Sequence, residues 1–315
     1  TRNRDEPLGA VQNGGVTTGS TSMNIQTSFN YARNFGKHSV NGMLLGRREL
    51  IKGTGGDAFT APPRAAQGLA ARFFYEYDSR YIIEVNGTYN GSENFAPGLR
   101  YGLFPSASAG WTLTNEPFFK KNNLLSYLKI RGSYGLVGND RISEQRFLFL
   151  TSFSPNASTP FGNPLSITNY PTLYISPTAL GNDQITWETG YKRNIGLEAR
   201  LFKDRLKLTV DLFDETRKDI LTAALSGSEL FGHAYPRLNV GEVYNKGYEV
   251  EMDYQALIGQ VSIGLNAQVG YAKNRIVEND EPDGLPDRDA RKGKSVGQFI
   301  GYKTDGFYTS QADID

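Results

Sequence analysis

Over long stretches of this chain apolar and polar residues take turns one by one. Such a stretch can bury a single face only as a β-strand, whose successive side chains point to opposite sides. Leu206, Leu208, Val210 and Leu212 fall on one face, and Lys207, Thr209 and Asp211 on the other. The preceding stretch sets Ile195, Leu197, Ala199 and Leu201 against Asn194, Gly196, Glu198 and Arg200, which predicts a hairpin around Lys203-Asp204. A third sets Val261, Ile263, Leu265, Ala267, Val269 and Tyr271 against Ser262, Gly264, Asn266, Gln268 and Gly270. Applied along the whole chain, the test predicts ten strands, near residues 23–34, 38–48, 68–77, 80–90, 100–113, 127–138, 190–202, 205–217, 246–256 and 260–272. Most are about 10 to 14 residues long, against ~5 to 6 in soluble proteins. A tilted strand needs ~9 to 11 residues to cross a bilayer, so these lengths suit a membrane better than a soluble sandwich.

The connections sort by length. Tight turns are predicted at Phe35-Gly36-Lys37, Asp78-Ser79, Lys203-Asp204 and Leu257-Ile258-Gly259, whereas 49–67, 91–99, 139–189, 218–245 and the chain after 272 are long. Alternate connections of an antiparallel meander lie at opposite ends, so the turns gather at one end and the long loops at the other, as in bacterial outer-membrane barrels. The one longer connection at the tight end, Thr114 to Ser126, reads as a helical turn beginning at Glu116-Pro117, capped by Thr114 or Asn115. Tyr77, Tyr81, Trp111, Tyr127 and Tyr271 are expected in an interfacial girdle. Glu84, Asn86, Thr88, Glu198, Arg200, Glu249, Glu251 and Asp253 are expected to face a wet lumen or a plug.

Composition narrows the function. A mean hydropathy of −0.45 is compatible with such a barrel, because alternation hides apolar faces from averages. No run approaches the ~18 to 20 apolar residues of a spanning helix. With 34 basic and 33 acidic residues and no basic stripe, nucleic acid is not an expected partner. There are no cysteines and only two histidines, His38 and His233, neither within a catalytic or metal-binding motif. Gly36-Lys37 and Gly293-Lys294 lack P-loop spacing, so no catalysis and no cofactor are expected. The acidic stretch Asn279 to Asp289 departs from calcium-loop spacing and reads as a solvated, turn-rich connection.

Several short stretches then fall in a recognisable order. Glu76 to Gly110 combines a tyrosine-rich turn, a Gly-Ser-x-x-Phe loop at Gly91, Ser92 and Phe95, and a Phe-Pro-Ser strand at Phe104 to Ser106. Leu128 to Gly135 follows, with Gly138-Asn139, then Trp187-Glu188 with Asn194 to Leu197, and Arg205-Leu206 with Asp219-Ile220-Leu221. Asn239 to Glu242, Asn245 to Glu249 and Gly301 to Phe307 complete the series. In this order and spacing the chain resembles the SusC/RagA family of TonB-dependent transporters. That resemblance implies a large barrel, expected to have 22 strands, closed by an N-terminal plug and capped by a SusD-like lipoprotein. It would be opened through the TonB complex to import oligosaccharides or peptides across the outer membrane of a Gram-negative member of the Bacteroidetes.

Residues 1–315 are accordingly expected to form part of an all-β, antiparallel transmembrane barrel set in outer-membrane lipid, without the plug domain and the C-terminal strands. Aromatic platforms beside planar polar groups suit sugars. Such residues in the longest loop, Phe161, Asn163, Asn169, Tyr170, Tyr174 and Trp187, are the ligand candidates, with loop packing as the alternative role. A non-transport barrel serving as secretion accessory or scaffold, and a soluble carbohydrate-binding β-protein, are the rival readings.

Overall fold

The computed structural model describes residues 19–53, 62–120, 122–143, 146–159, 172–302 and 306–307. Its strands are β1 (Ser20–Phe35), β2 (His38–Gly53), β3 (Arg64–Tyr77), β4 (Tyr81–Ser92), β5 (Tyr101–Thr112) and β6 (Leu125–Asn139). They continue with β7 (Ser152–Thr159), β8 (Thr172–Ala179), β9 (Glu188–Leu201), β10 (Leu206–Thr222), β11 (Leu238–Ile258) and β12 (Val261–Glu278). Ten of them form one antiparallel sheet in the order β1-β2-β3-β4-β5-β6-β9-β10-β11-β12, while β7 and β8 pair only with each other. All ten predicted strands are present. The unpredicted hairpin β7–β8 lies inside the longest loop, and β6 pairs directly with β9 across it.

The tight turns sit where they were expected, at one end of the sheet. Asp78 and Ser79 have φ of 51° and 53°, and Phe202, Lys203 and Asp204 have φ of 55°, 59° and 66°. Left-handed residues of this kind match the twist of the flanking strands. Alternation understated the other end. β10 and β11 run on together to Thr222 and Leu238, past a register shift at Arg217–Ile220 where Asp219 has φ of 56°. A bulge of this kind breaks the period-2 pattern, and the sequence test stops there.

The connection after β5 departs from expectation. It holds a single 3₁₀ turn at Leu113–Asn115, and Glu116 is already extended at φ −73°, ψ 145°. Pro117 disfavours the helical region for the residue before it, which ends the turn where a helix was predicted to begin. Thr114 caps no helix; its Oγ1 accepts the Leu128 N–H at 3.2 Å.

Glu116 instead anchors the rim. It accepts Trp111 Nε1 at 2.9 Å and Arg80 Nη1 at 3.1 Å, and Arg80 also reaches Asp78 at 2.8 Å. Hydrogen bonds from the Tyr81 hydroxyl, Trp111 and Arg80 hold the Glu116 carboxyl below the usual carboxylate range. Lys37, with help from Arg80, does the same for Asp78.

One face of the sheet is apolar and exposed: Phe29, Leu44, Leu69, Phe73, Ile83, Val85, Leu103, Ile195, Leu212 and Val269 all lie on it. Tyr77, Tyr81 and Trp111 edge this face at the turn end. Two of the expected girdle residues are placed differently. Tyr271 lies on the apolar face but ten residues up β12, its ring 5.9 Å from Tyr248, level with the stacked pair Tyr89 and Tyr101 in a second belt. Tyr127 turns to the polar face, where the Arg200 guanidinium lies 4.9 Å over its ring, because it is one step out of phase with the outward Leu128 and Ile130 and shares its side with Lys129 and Arg131. From Tyr81 to Tyr89 is eight residues and from Trp111 to Tyr101 ten. For strands rising ~3.3 Å per residue at ~40° tilt, that sets the belts about 20 to 25 Å apart, the height of a membrane-spanning band.

The compact core sits at the long-loop end. β5 and β6 pair from Thr112–Lys129 up to Ser106–Gly135 and then part. Pro105, which has no N–H to donate, comes next on β5, and the ladder to β6 ends there. Phe95, Phe104, Ile185, Trp187 and Leu221 form the buried cluster at this end, with Leu99, Leu136, Ile142 and Leu148 against it.

Candidate functional site

Register alone fixes which side chains share the polar face. Glu84 pairs with Ser108, Ser108 with Ser133, Ser133 with Asn194, Asn194 with Phe213 and Phe213 with Gly247, so these positions stand on one side. Counting by twos puts all eight sequence-nominated lumen residues on that side: Glu84, Asn86, Thr88, Glu198, Arg200, Glu249, Glu251 and Asp253.

Two ionic groups flank this wall. On β3 and β4, Arg72 reaches Glu84 at 2.8 Å and Asn86 donates to the other Glu84 oxygen at 2.9 Å. On β6, β9 and β10, Arg131 donates to Glu198 at 3.0 Å, Asn194 at 3.1 Å and Asp211 at 2.7 Å, while Lys129 approaches Glu198 at 3.5 Å. The guanidinium crosses β9 above Gly196, where a Cβ would come within 2.6 Å of Arg131 Cζ. Across the same strands, from β4 to β11, runs an open groove of about 640 Å³, lined among others by Asn86, Ser106, Ser108, Ser133, Asn194 and Glu249. Hydroxyls, amides and carboxylates of this kind offer donors and acceptors to a polar solute or to an inserted protein surface.

The loop clasp above the wall brings together motifs that are distant in sequence. Trp187 packs 5.2 Å from both Phe95 and Phe104, and its Nε1 donates to the Arg100 carbonyl at 3.3 Å. Asn239 accepts the Thr186 N–H at 3.1 Å and donates to the carbonyls of Thr186 and Asp219, at 3.1 and 2.6 Å. Asn139 meets Glu188 at 3.4 Å, and Glu188 meets Arg217 at 3.2 Å. Arg146, almost fully buried, ties Glu93 to the carbonyls of Pro62 and Pro63.

Of the ligand candidates, Trp187 is 8% exposed and holds the loops together. Tyr174 lies in β8 opposite Ala157, and Phe161, Asn163, Asn169 and Tyr170 lie outside the described residues. His38 Nδ1 is 2.8 Å from the Tyr75 hydroxyl, and His233 lies in the β10–β11 loop beside Phe231. In the acidic loop, burial opposes ionisation of Glu281, but the backbone N–H groups of Lys292 and Arg291 outweigh it and hold its carboxyl below the usual range. Asp280 accepts both the N–H and the hydroxyl of Ser226, at 3.2 and 2.9 Å. No group of three or more metal-ligating side chains is found among the described residues. Sequence reasoning missed Arg131 as the hub of the wall. Its residues were visible, but the β6–β9 pairing that unites them spans the longest loop.

A family model for the TonB dependent receptor-like β-barrel matches residues 3–311. The chain belongs to the TonB-dependent receptor β-barrel family. A TonB-dependent receptor of Formosa agariphila is 31% identical over 81% of this chain and 23% of its own length. The TonB-dependent receptor SusC of Bacteroides thetaiotaomicron is 24% identical over 96% of this chain and 33% of its own. Among solved structures, the RagAB peptide transporter superposes with a TM-score of 0.70 at 19% identity, over 88% of this chain and 33% of that one, which establishes the shared fold. This receptor barrel segment therefore spans about a quarter to a third of the relatives' length. In a barrel of this family the apolar face turns outward and the polar face, with Arg131 and the groove, turns to the interior.

Proposed function

We propose that this chain builds one stretch of the wall of an outer-membrane importer of oligosaccharides or peptides in a Gram-negative member of the Bacteroidetes. The observation that carries this reading is the division of the sheet: a greasy face between two aromatic belts, backed by a wall of ion pairs, hydroxyls and amides. The wall performs no bond chemistry in this reading. It presents polar groups to a plug and to a passing solute, while the long loops dock a SusD-like lipoprotein and the plug couples to TonB. Phe161, Asn163, Asn169, Tyr170 and Tyr174 are proposed as loop contacts for the ligand or the lid.

The test is uptake of labelled oligosaccharide and peptide mixtures by cells with and without the gene, each with and without a protonophore, together with recovery of a surface lipoprotein on the purified receptor. Gene-dependent, protonophore-sensitive uptake of either class supports the proposal. Unchanged uptake with no lipoprotein recovered would favour a scaffold.

A further inference from the structure

On β9 to β12 the greasy face gives way to a row of charge. Asp214 stands opposite Arg193 on one side and Lys246 on the other, and Lys246 stands opposite Lys273, so the four cross β9 to β12 on the outward side. The row lies immediately beyond the outward residues Ile195, Leu212, Tyr248 and Tyr271, on the side away from the tight turns. The paired outward positions of β3 to β6 carry no charged side chain at all.

The charges do not balance. Asp214 is engaged by Arg193 at 3.5 Å, and no acid lies within ion-pair distance of Lys246 or Lys273 among the described residues. Arg275, one tier further out and opposite Tyr244, is likewise exposed. Like charges directly opposite on neighbouring strands destabilise a sheet, more so beside hydrocarbon than in water. Two facing lysines without an acidic partner among the described residues offer their charge to an external anion. The surface there is a shallow groove of about 690 Å³ that includes Lys246, Lys273, Tyr248 and Tyr271.

We propose that Lys246 and Lys273, with Arg193 and Arg275 beside them, bind the phosphate-bearing headgroup of a glycolipid in the outer leaflet. The acyl chains of this lipid would lie over Ile195, Leu212, Val250 and Val269. Amphipathic rings at headgroup level mark the depth, the lysines supply the charge, and the apolar field below selects a lipid over a free anion. This inference rests on the outer-membrane placement of the barrel and is independent of its cargo.

The test uses the receptor purified from its outer membrane in mild detergent, stripped of lipid, and offered a bisphosphorylated diglucosamine lipid, the same lipid dephosphorylated, or inorganic phosphate. Bound lipid is read by native mass spectrometry, and folding by heat-modifiable migration. At about fivefold per lysine, the phosphorylated lipid should bind the K246Q/K273Q variant roughly 25-fold more weakly than wild type, while K207Q on the inner face binds as wild type does. Dephosphorylation should weaken wild-type binding to a similar degree, a comparison that decides the matter even where the double variant does not fold. Equal retention of both lipids, or full displacement of the lipid by millimolar inorganic phosphate, would overturn the proposal and leave the importer reading intact.

Discussion

Gly138 has no side chain because Phe104 occupies the space: a Cβ there would overlap the ring that wedges beside Trp187 at the point where β5 and β6 part. G138A is expected to destabilise the barrel by about 1 to 3 kcal/mol through overpacking, and F104A by about 3 to 5 kcal/mol through a cavity. The double variant should cost little more than F104A alone, because the methyl then enters the space the ring has left; denaturant unfolding of all three closes the cycle. At the opposite rim the same scale sets a pH dependence. Glu116 and Asp78 have folded carboxyl pKa values below those of the unfolded chain, so the stabilisation from Arg80, Trp111 and Lys37 is complete above the ordinary carboxylate range and is lost as pH falls through the lower folded values. Acid titration followed by Trp111 fluorescence in a W187F background should show this loss, and E116Q should abolish the part of the transition that belongs to Glu116.

Adjacent residues of one strand meet opposite surroundings, and that contrast is testable at Ala107 and Ser108. Ala107 faces outward between Trp111 and Tyr101, and Ser108 faces the polar wall between Glu84 and Ser133. Arginine at Ala107 is expected to cost about 2 to 4 kcal/mol if this position lies near the bilayer midplane, whereas arginine at Ser108, beside Glu84, should cost little. Reversible urea unfolding in lipid vesicles measures both, and equal costs would mean that the two faces are not divided between lipid and water. The same one-residue contrast is why the strands were legible in the sequence: Asn194 to Leu201, Leu206 to Leu212 and Val261 to Tyr271 keep strict alternation, and their tight turns hold residues that tolerate left-handed backbone or a polar reversal. What escaped has a local cause in each case. The bulge at Arg217–Ile220 breaks the period, Pro117 ends the turn before Glu116, and Tyr127 stands one step from the outward Leu128, on the polar side.

At the scale of the molecule, the sequence carried the family motifs but not their purpose. Phe95, Phe104, Gly138, Trp187, Leu221 and Asn239 are scattered over the chain, yet they converge on one clasp that holds the loops above the wall. Composition cannot distinguish a loop aromatic that packs from one that binds, and for Trp187 only the fold places the ring in the core. The polar wall was half legible: alternation gave the facing, but the Arg131 hub needs the β6–β9 neighbourhood. The sheet itself sets the last prediction. β1 and β12 are its two edges, and among the described residues each presents a row of backbone N–H and C=O groups with no strand alongside. In hydrocarbon an unpaired peptide group costs several kcal/mol, so an open sheet of this width cannot rest in a bilayer as a monomer. Residues 19–302 expressed alone and refolded into detergent should give strand-rich infrared spectra without a compact, heat-modifiable monomer band, and should instead associate edge to edge. The entire gene product should give that band. A heat-modifiable monomer from residues 19–302 would show that β1 and β12 find partners within this segment.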